Sequence, residues 1–69
     1  MSLSARNRLT GTVQSVETSG LMAEVVVDLG DGQEVTSVIT SNSVERLGIE
    51  EGDTVSAVVK ATEVMVEKD

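Results

Sequence analysis

Apolar and polar residues alternate along most of this chain with the period of two that is typical of β-strands. The alternation predicts five strands, at residues 9–16, 21–29, 34–40, 54–60 and 63–67. Gly11 interrupts the first strand and indicates a bend or a close approach of two backbones. One face of the second strand is predicted to belong to the core, and it carries Ala23, Val25, Val27 and Leu29.

The period changes between the third and fourth predicted strands, where a short helix is expected. Asn42 is its predicted N-cap, with Glu45 three residues later as the capping partner. Gly48 follows the helix at the position that favours a left-handed backbone. Gly-Asp-Gly-Gln at residues 30–33 predicts a hairpin between the second and third strands.

Five short strands with one small helix predict an all-β fold, an OB-like five-stranded Greek-key barrel. An open meander of five strands is the alternative. A βαβ sheet is disfavoured, because the single helix is too short for a crossover. The 69 residues make one domain, residues 1–69, with no room for a second.

Composition indicates that this domain needs partners to be stable. A chain of this size buries only about 60% of its unfolded surface. It has no cysteine, no histidine and no aromatic residue, so disulfides and the usual zinc clusters are excluded. The core must be built from Val, Ile, Leu, Ala and Met. Self-association is therefore the expected source of additional stability.

The charge excludes several classes of partner. A net charge of −7 argues against nucleic acid, which needs clustered Lys and Arg, and against an anionic membrane. No apolar run approaches the roughly 20 residues of a membrane span. The N-terminus lacks the pattern of a signal peptide, so a cytoplasmic location is expected.

Catalysis is not expected of this composition. The chain offers no His, Cys or Tyr as a base or nucleophile. Acid pairs such as Glu50 and Glu51 are interpreted as a solvated turn, since a hydrolase built on them lacks a suitable base. Asp28, Asp31 and Asp53 do not have the spacing of a calcium loop, so no metal bound directly by side chains is expected.

Anion binding is easier to build from these residues. Arg6 offers a planar fork of donors beside Ser4 and Ala5. Lys60 offers a point charge beside small residues. The other candidates are hydroxyls at the start of the predicted helix, Thr40 and Ser43.

An ordinary structural role is the alternative for each candidate. Arg6 would then pair with a carboxylate such as Glu17 or Glu63, and Lys60 would be a surface lysine at a strand end. The serines near the helix would serve only as caps.

Several of these segments together resemble the molbindins, small molybdate-binding proteins built from a single Mop (TOBE-type) domain. The resemblance covers nearly the whole chain. It is carried by Ser-Ala-Arg-Asn at residues 4–7, Met-Ala-Glu-Val-Val at 22–26, Val-Ile-Thr at 38–40, Ser-Val-Glu at 43–45, Leu-Gly at 47–48, Glu-Gly-Asp at 51–53, Lys-Ala-Thr at 60–62 and Val-Met at 64–65.

This resemblance implies an OB-like barrel that assembles as a hexamer, a trimer of dimers. It implies that molybdate or tungstate is bound between subunits for storage or buffering, without catalysis and without a cofactor. The implied site residues are Ser4, Ala5, Arg6, Thr40, Ser43, Lys60 and Ala61, some from different subunits. Candidates for a second class of site, on the threefold axis, are Ser19, Gly20 and Met22. The alternative function is a regulatory or interaction module that acts through a protein partner in molybdenum handling.

Overall fold

The computed structural model describes residues 6–69. Within them the chain forms four strands, one α-helix and one 3₁₀ turn. In chain order these are β1 (Asn7–Ser19), β2 (Met22–Gly30), β3 (Gln33–Thr40), α1 (Ser41–Leu47), β4 (Thr54–Val59) and the 3₁₀ turn (Ala61–Glu63).

The four strands form one antiparallel sheet in the order β3-β2-β1-β4. Three consecutive strands are joined by tight turns, and the fourth returns through α1 to lie beside the first. This is Greek-key connectivity. The prediction of a Greek key is confirmed, and the open meander is excluded because β4 pairs with β1.

Strand β1 is shared between two partners along its length. Residues 7–12 pair with β4, and residues 12–19 pair with β2 apart from a register shift between Val13 and Ser15. The shift leaves Gln14 as an extra residue, which bends and twists a strand locally. The bend curls the sheet into a half-barrel.

At Gly11, β1 comes very close to the backbone of β2. A Cβ atom built on it would collide with the backbone oxygen of Asp28 and come within 2.8 Å of a methyl group of Val27. Only a residue without a side chain fits this position, so the predicted close backbone approach is confirmed.

The core is small and purely aliphatic. Among residues 6–69 its buried residues are Val13, Ala23, Val25, Val27 and Val44. Three of these come from the predicted inward face of β2, and Leu29 on the same face is partly buried against them. With so little apolar area removed from water, the hydrophobic contribution to stability is modest.

The helix begins earlier than predicted, because a different residue caps it. Thr40, in extended conformation, accepts a hydrogen bond from the backbone N–H of Ser43 at 3.0 Å. The proposed cap at Asn42 with Glu45 is therefore wrong. A threonine at the end of β3 is already extended, as an N-cap requires. The predicted end is confirmed: Gly48 has φ +65°, and Ile49 N–H donates to Val44 C=O at 3.1 Å.

The fifth predicted strand is not formed. Residues 61–63 make the 3₁₀ turn, and residues 64–69 follow without regular structure. Met65 and Val66 are 93% and 92% exposed. An alternating segment becomes a strand only when a neighbouring strand takes up its hydrogen bonds, and the described chain places none beside this one.

Candidate functional site

Two of the predicted cations meet at one end of the sheet. Asn7 and Val59 are the last paired residues of β1 and β4. Arg6 and Lys60 are the next residues on each chain segment, so they flank the same end of the ladder, and both are exposed. We call this region, Arg6 with Lys60 and Ala61, the cation end. Ser4 and Ala5, predicted to join it, lie outside the described residues.

A hydroxyl cluster lies at the start of α1. The Thr40 hydroxyl donates to Ser43 Oγ at 2.8 Å, and Arg46 Nη2 donates to the same oxygen at 3.4 Å. Since Ser43 Oγ accepts both bonds, its own proton points elsewhere and can be offered to a ligand. Arg46 was not among the predicted site residues. Its spacing of three from Ser43 on a helix was the signal that could have found it.

The candidates for the second site lie beside this cluster. Ser19 and Met22 form the pair that closes the β1–β2 hairpin. Ser41 ties the helix to this turn, because its hydroxyl donates to the carbonyl oxygens of Gly20 at 2.8 Å and Met22 at 3.2 Å. We call the whole region, Thr40 to Ser43 with Ser19, Gly20 and Met22, the hydroxyl end.

A shallow groove of about 230 Å³ opens at the hydroxyl end between Ser19 and Met22. Glu17 and Glu24, which face each other across β1 and β2, also line it. Two carboxylates oppose the binding of a dianion. Within one chain, this groove is therefore a poor anion site.

The cation end and the hydroxyl end lie at opposite ends of β1. Asn7 begins that strand and Ser19 ends it, and a straight strand rises about 3.3 Å per residue. One chain therefore brings Arg6, Lys60 and Ala61 together, and separately brings Thr40 and Ser43 together. It does not join the two groups into one site.

The positions along β1 also test the alternative role of Arg6, which is to form an ion pair with Glu17 or Glu63. Glu17 lies toward the far end of β1 from Arg6, so these two residues cannot pair within one chain. Glu63 is close to the cation end instead, because its N–H donates to the carbonyl oxygen of Lys60 at 2.9 Å.

Residues 6–69 provide neither a carboxylate metal site nor a membrane-spanning helix. No group of three or more acidic residues is arranged to hold a metal ion there. None of the helices in that part of the chain is long and apolar enough to cross a membrane.

Comparisons with known proteins identify the family. A model of the TOBE domain matches residues 3–66. Molybdenum-pterin-binding protein 3 of Clostridium pasteurianum is 47% identical over 66 residues, which cover 96% of this chain and 97% of that protein.

Solved structures show the same likeness. A molybdate-binding protein from Sporomusa ovata has a TM-score of 0.92 and 43% identity, with 99% of this chain and 100% of that one covered. MopII from Clostridium pasteurianum has a TM-score of 0.89 and 45% identity, with 97% and 100% covered. The cytoplasmic molybdate-binding protein ModG, with molybdate bound, has a TM-score of 0.84 and 49% identity over 88% of this chain and 43% of its own.

These matches confirm the OB-like fold and the resemblance found in the sequence. The relatives from Clostridium pasteurianum are matched over nearly their whole length. The chain therefore belongs to the TOBE domain family, among the small molybdenum-pterin-binding proteins.

Proposed function

We propose that this protein binds molybdate or tungstate between subunits of a homo-oligomer and thereby stores or buffers the oxyanion in the cytoplasm. It does so without catalysis and without a cofactor, as a single domain spanning residues 1–69. The observation that carries this proposal is that Arg6 and Lys60 directly follow the last paired residues of the β1–β4 ladder, Asn7 and Val59.

The closeness of Arg6 and Lys60 is significant because cations are scarce in this chain. The chain has five basic residues against twelve acidic ones. Two of the five flank one ladder end, so this small region is locally positive on an acidic protein. A tetrahedral dianion removed from water needs several donors. The guanidinium fork of Arg6 and the ammonium of Lys60 supply charged donors of that kind.

A neighbouring copy would supply the rest of the site. Arg6 and Lys60 are exposed on the single chain, so they do not enclose an ion by themselves. The hydroxyl end of a second copy carries Ser43, whose proton is not engaged by Thr40 or Arg46. The proposed site thus joins Ser4, Ala5, Arg6, Lys60 and Ala61 of one copy to Thr40 and Ser43 of another.

The relatives support both the ligand and the location. ModG is named a cytoplasmic molybdate-binding protein, and the protein from Sporomusa ovata is named a molybdate-binding protein. We further propose a hexamer arranged as a trimer of dimers. Its threefold axis would gather Ser19, Gly20 and Met22 from several copies into the second class of site, where neighbours must offset Glu17 and Glu24.

Calorimetry with molybdate, tungstate and sulfate tests the proposal. The wild-type protein is expected to bind the first two more tightly than sulfate. Arg6→Ala and Lys60→Ala should each weaken binding roughly 10- to 150-fold, because each removes a charge-assisted contact worth about 1.5–3 kcal/mol and leaves the anion under-compensated.

Lys68→Ala is the matched control, since it removes one positive charge from an exposed residue that the proposed site does not include. Circular dichroism should show that all three variants keep the wild-type fold, because the changed side chains are exposed. Unchanged affinity in both Arg6→Ala and Lys60→Ala would contradict the site assignment.

The alternative function, an interaction module, has one observation in its favour. The chain is 42% identical over 65 residues to Molybdenum transport protein ModE of Herbaspirillum seropedicae, of which the match covers 24%. A similar domain therefore occurs as one part of a larger protein. Capture of one dominant partner by a protein that binds no oxyanion in calorimetry would favour this function over storage.

A further inference from the structure

Arg46 reaches back along α1 toward the hydroxyl end. It lies in the last turn of this helix, which has seven residues, Ser41–Leu47. Long side chains on a helix lean toward its N-terminus, and the guanidinium of Arg46 accordingly donates from Nη2 to Ser43 Oγ at 3.4 Å. A cation in the last turn usually interacts with the last carbonyl groups of its helix. Here its hydrogen bond goes to a hydroxyl of the candidate site instead.

The accepting capacity of Ser43 Oγ is filled within the chain. A serine hydroxyl has one proton to donate and two lone pairs that accept. Thr40 Oγ1 donates to Ser43 Oγ at 2.8 Å, and Arg46 Nη2 donates to the second lone pair. Ser43 is therefore held as a group that can only donate. Arg46 is the partner that occupies its remaining accepting position.

The Thr40 hydroxyl is already engaged in both directions. It accepts the backbone N–H of Ser43 at 3.0 Å as the cap of α1, and it donates its proton to Ser43 Oγ. The proton of Ser43 is thus the one that this pair of hydroxyls offers to a ligand. A guanidinium bound to the same oxygen also withdraws electron density from it, so the O–H group becomes a stronger donor.

We propose that Arg46 is a positioning residue that makes the oxyanion site selective for fully deprotonated anions. Molybdate and tungstate carry no proton near neutral pH, so every oxygen accepts. Inorganic phosphate still carries a proton there, and its O–H group needs an acceptor. Beside a hydroxyl that only donates, that group is left unpaired, which costs free energy when the anion is buried. This inference rests on the proposed function and deepens it.

The charges around the hydroxyl end support a role for Arg46. Glu17 and Glu24 line the groove there, and their carboxylates repel a dianion. The guanidinium of Arg46, in hydrogen-bond contact with the same end, offsets part of that repulsion. It uses one of its five N–H donors on Ser43, so others remain for a ligand. In the shared site it would join Arg6 and Lys60 of the neighbouring copy around one anion.

Two effects of removing Arg46 can be separated by comparing two anions. Loss of the positive charge weakens the binding of every anion. Loss of the hydrogen bond to Ser43 frees a lone pair on Ser43 Oγ, which favours only the anion that carries a proton. The ratio of the molybdate affinity to the phosphate affinity therefore measures the positioning role.

Calorimetry with molybdate, and with inorganic phosphate in competition with it, tests the proposal at neutral pH. Arg46→Met removes the guanidinium but keeps a long side chain of similar helix propensity. It should lower the ratio of the two affinities about tenfold, the size expected when one hydrogen-bonding group is no longer left unpaired. Lys68→Met is the matched control. It makes the same change of charge at an exposed residue outside the proposed site and should keep the wild-type ratio.

A double-mutant cycle shows whether Arg46 acts through Ser43. Ser43→Ala has no hydroxyl to orient, so adding Arg46→Met to it should leave the ratio of affinities unchanged. A ratio that falls equally with and without Ser43 would overturn the proposal, because the guanidinium would then act directly on the anion. A purely structural role in α1 would weaken both anions alike and leave the ratio as it is in the wild type, which would also overturn it.

The outcomes also distinguish this inference from the proposed function. If molybdate binding depends on Arg6 and the ratio is the same in the wild type and in Arg46→Met, the role of Arg46 is wrong and the oxyanion site stands. If the wild-type protein binds no molybdate, both are wrong. Circular dichroism should show the wild-type fold for Arg46→Met, because the changed side chain is exposed.

Discussion

The two ends of β1 are built in different ways. At the hydroxyl end, side chains and backbone are locked together: Thr40 caps α1 and donates to Ser43, and Ser41 ties the helix to the Gly20 turn. At the cation end, Arg6 and Lys60 owe their proximity to the register of two strands that end just before them. The hydroxyl end is organised by side-chain hydrogen bonds, whereas the cation end is placed by the register of the two strands.

This difference indicates how a shared site would work. A hydroxyl held in a fixed direction can discriminate between ligands by size and geometry, because it cannot adjust to each of them. Long exposed cations supply attraction but adapt their position. Joining the two ends of different copies combines a rigid half with an adaptable half. Binding of the anion would then also stabilise the oligomer, since the complete site exists only there.

The largest change in stability is expected in β1, because this strand holds both the cation end and the hydroxyl end in place. Gly11→Val should destabilise the fold by about 2–4 kcal/mol, because the new side chain has no space against the Asp28 backbone. This is a large share of the stability of a small domain. Urea denaturation measures it, with Thr10→Val as the control at the adjacent exposed position. Near-wild-type stability of Gly11→Val would contradict the close approach of β1 and β2.

A mixing experiment tests whether the two ends come from different copies. A chain with Arg6→Ala and Lys60→Ala has only its hydroxyl end intact, and one with Ser43→Ala has an intact cation end. Each alone should bind molybdate poorly. Co-refolded in equal amounts, they should recover roughly a quarter of the wild-type sites by random assembly. Recovery of none would indicate that each copy builds its site from its own residues.

The smallest effect is expected at the helix cap. Thr40→Ala should cost about 1 kcal/mol, because the N–H of Ser43 loses its acceptor. That corresponds to a fall in Tm of about 4–8 °C for a domain of this size. Thr40→Ser keeps the hydroxyl and should remain near the wild-type Tm in calorimetric melting. A fall in Tm for Thr40→Ser that matched that of Thr40→Ala would contradict the capping role.

Much of the architecture follows from local patterns. The alternation in β1 to β4, the turn at Asp31 and the helix end at Gly48 were all predicted from sequence and confirmed. Each depends on interactions between residues close in the chain, so a local pattern carries the information. The N-cap was predicted wrongly, because Asn42 and Thr40 both suit a cap and only the path of β3 chooses between them.

The candidate site was less accessible to sequence reasoning. The composition singled out Arg6 and Lys60 as two of only five basic residues. Nothing in the sequence around either residue shows that both flank one end of the β1–β4 ladder. That follows from the pairing of Asn7 with Val59, which are 52 positions apart. The hydrogen bond from Arg46 to Ser43 was missed, although the predicted helix already contained both residues at a spacing of three.

The sequence by itself determined an aromatic-free, acidic β domain with few cations and with hydroxyls near a short helix, because composition and alternation are properties of single segments. Only the tertiary structure decided that the cations meet at one end of β1, that the hydroxyls lie at the other, and that no strand among residues 6–69 pairs with residues 64–66. Those outcomes depend on which distant strands pair and in what register. Backbone hydrogen bonds and burial across the whole sheet select that pairing, and no single segment encodes it.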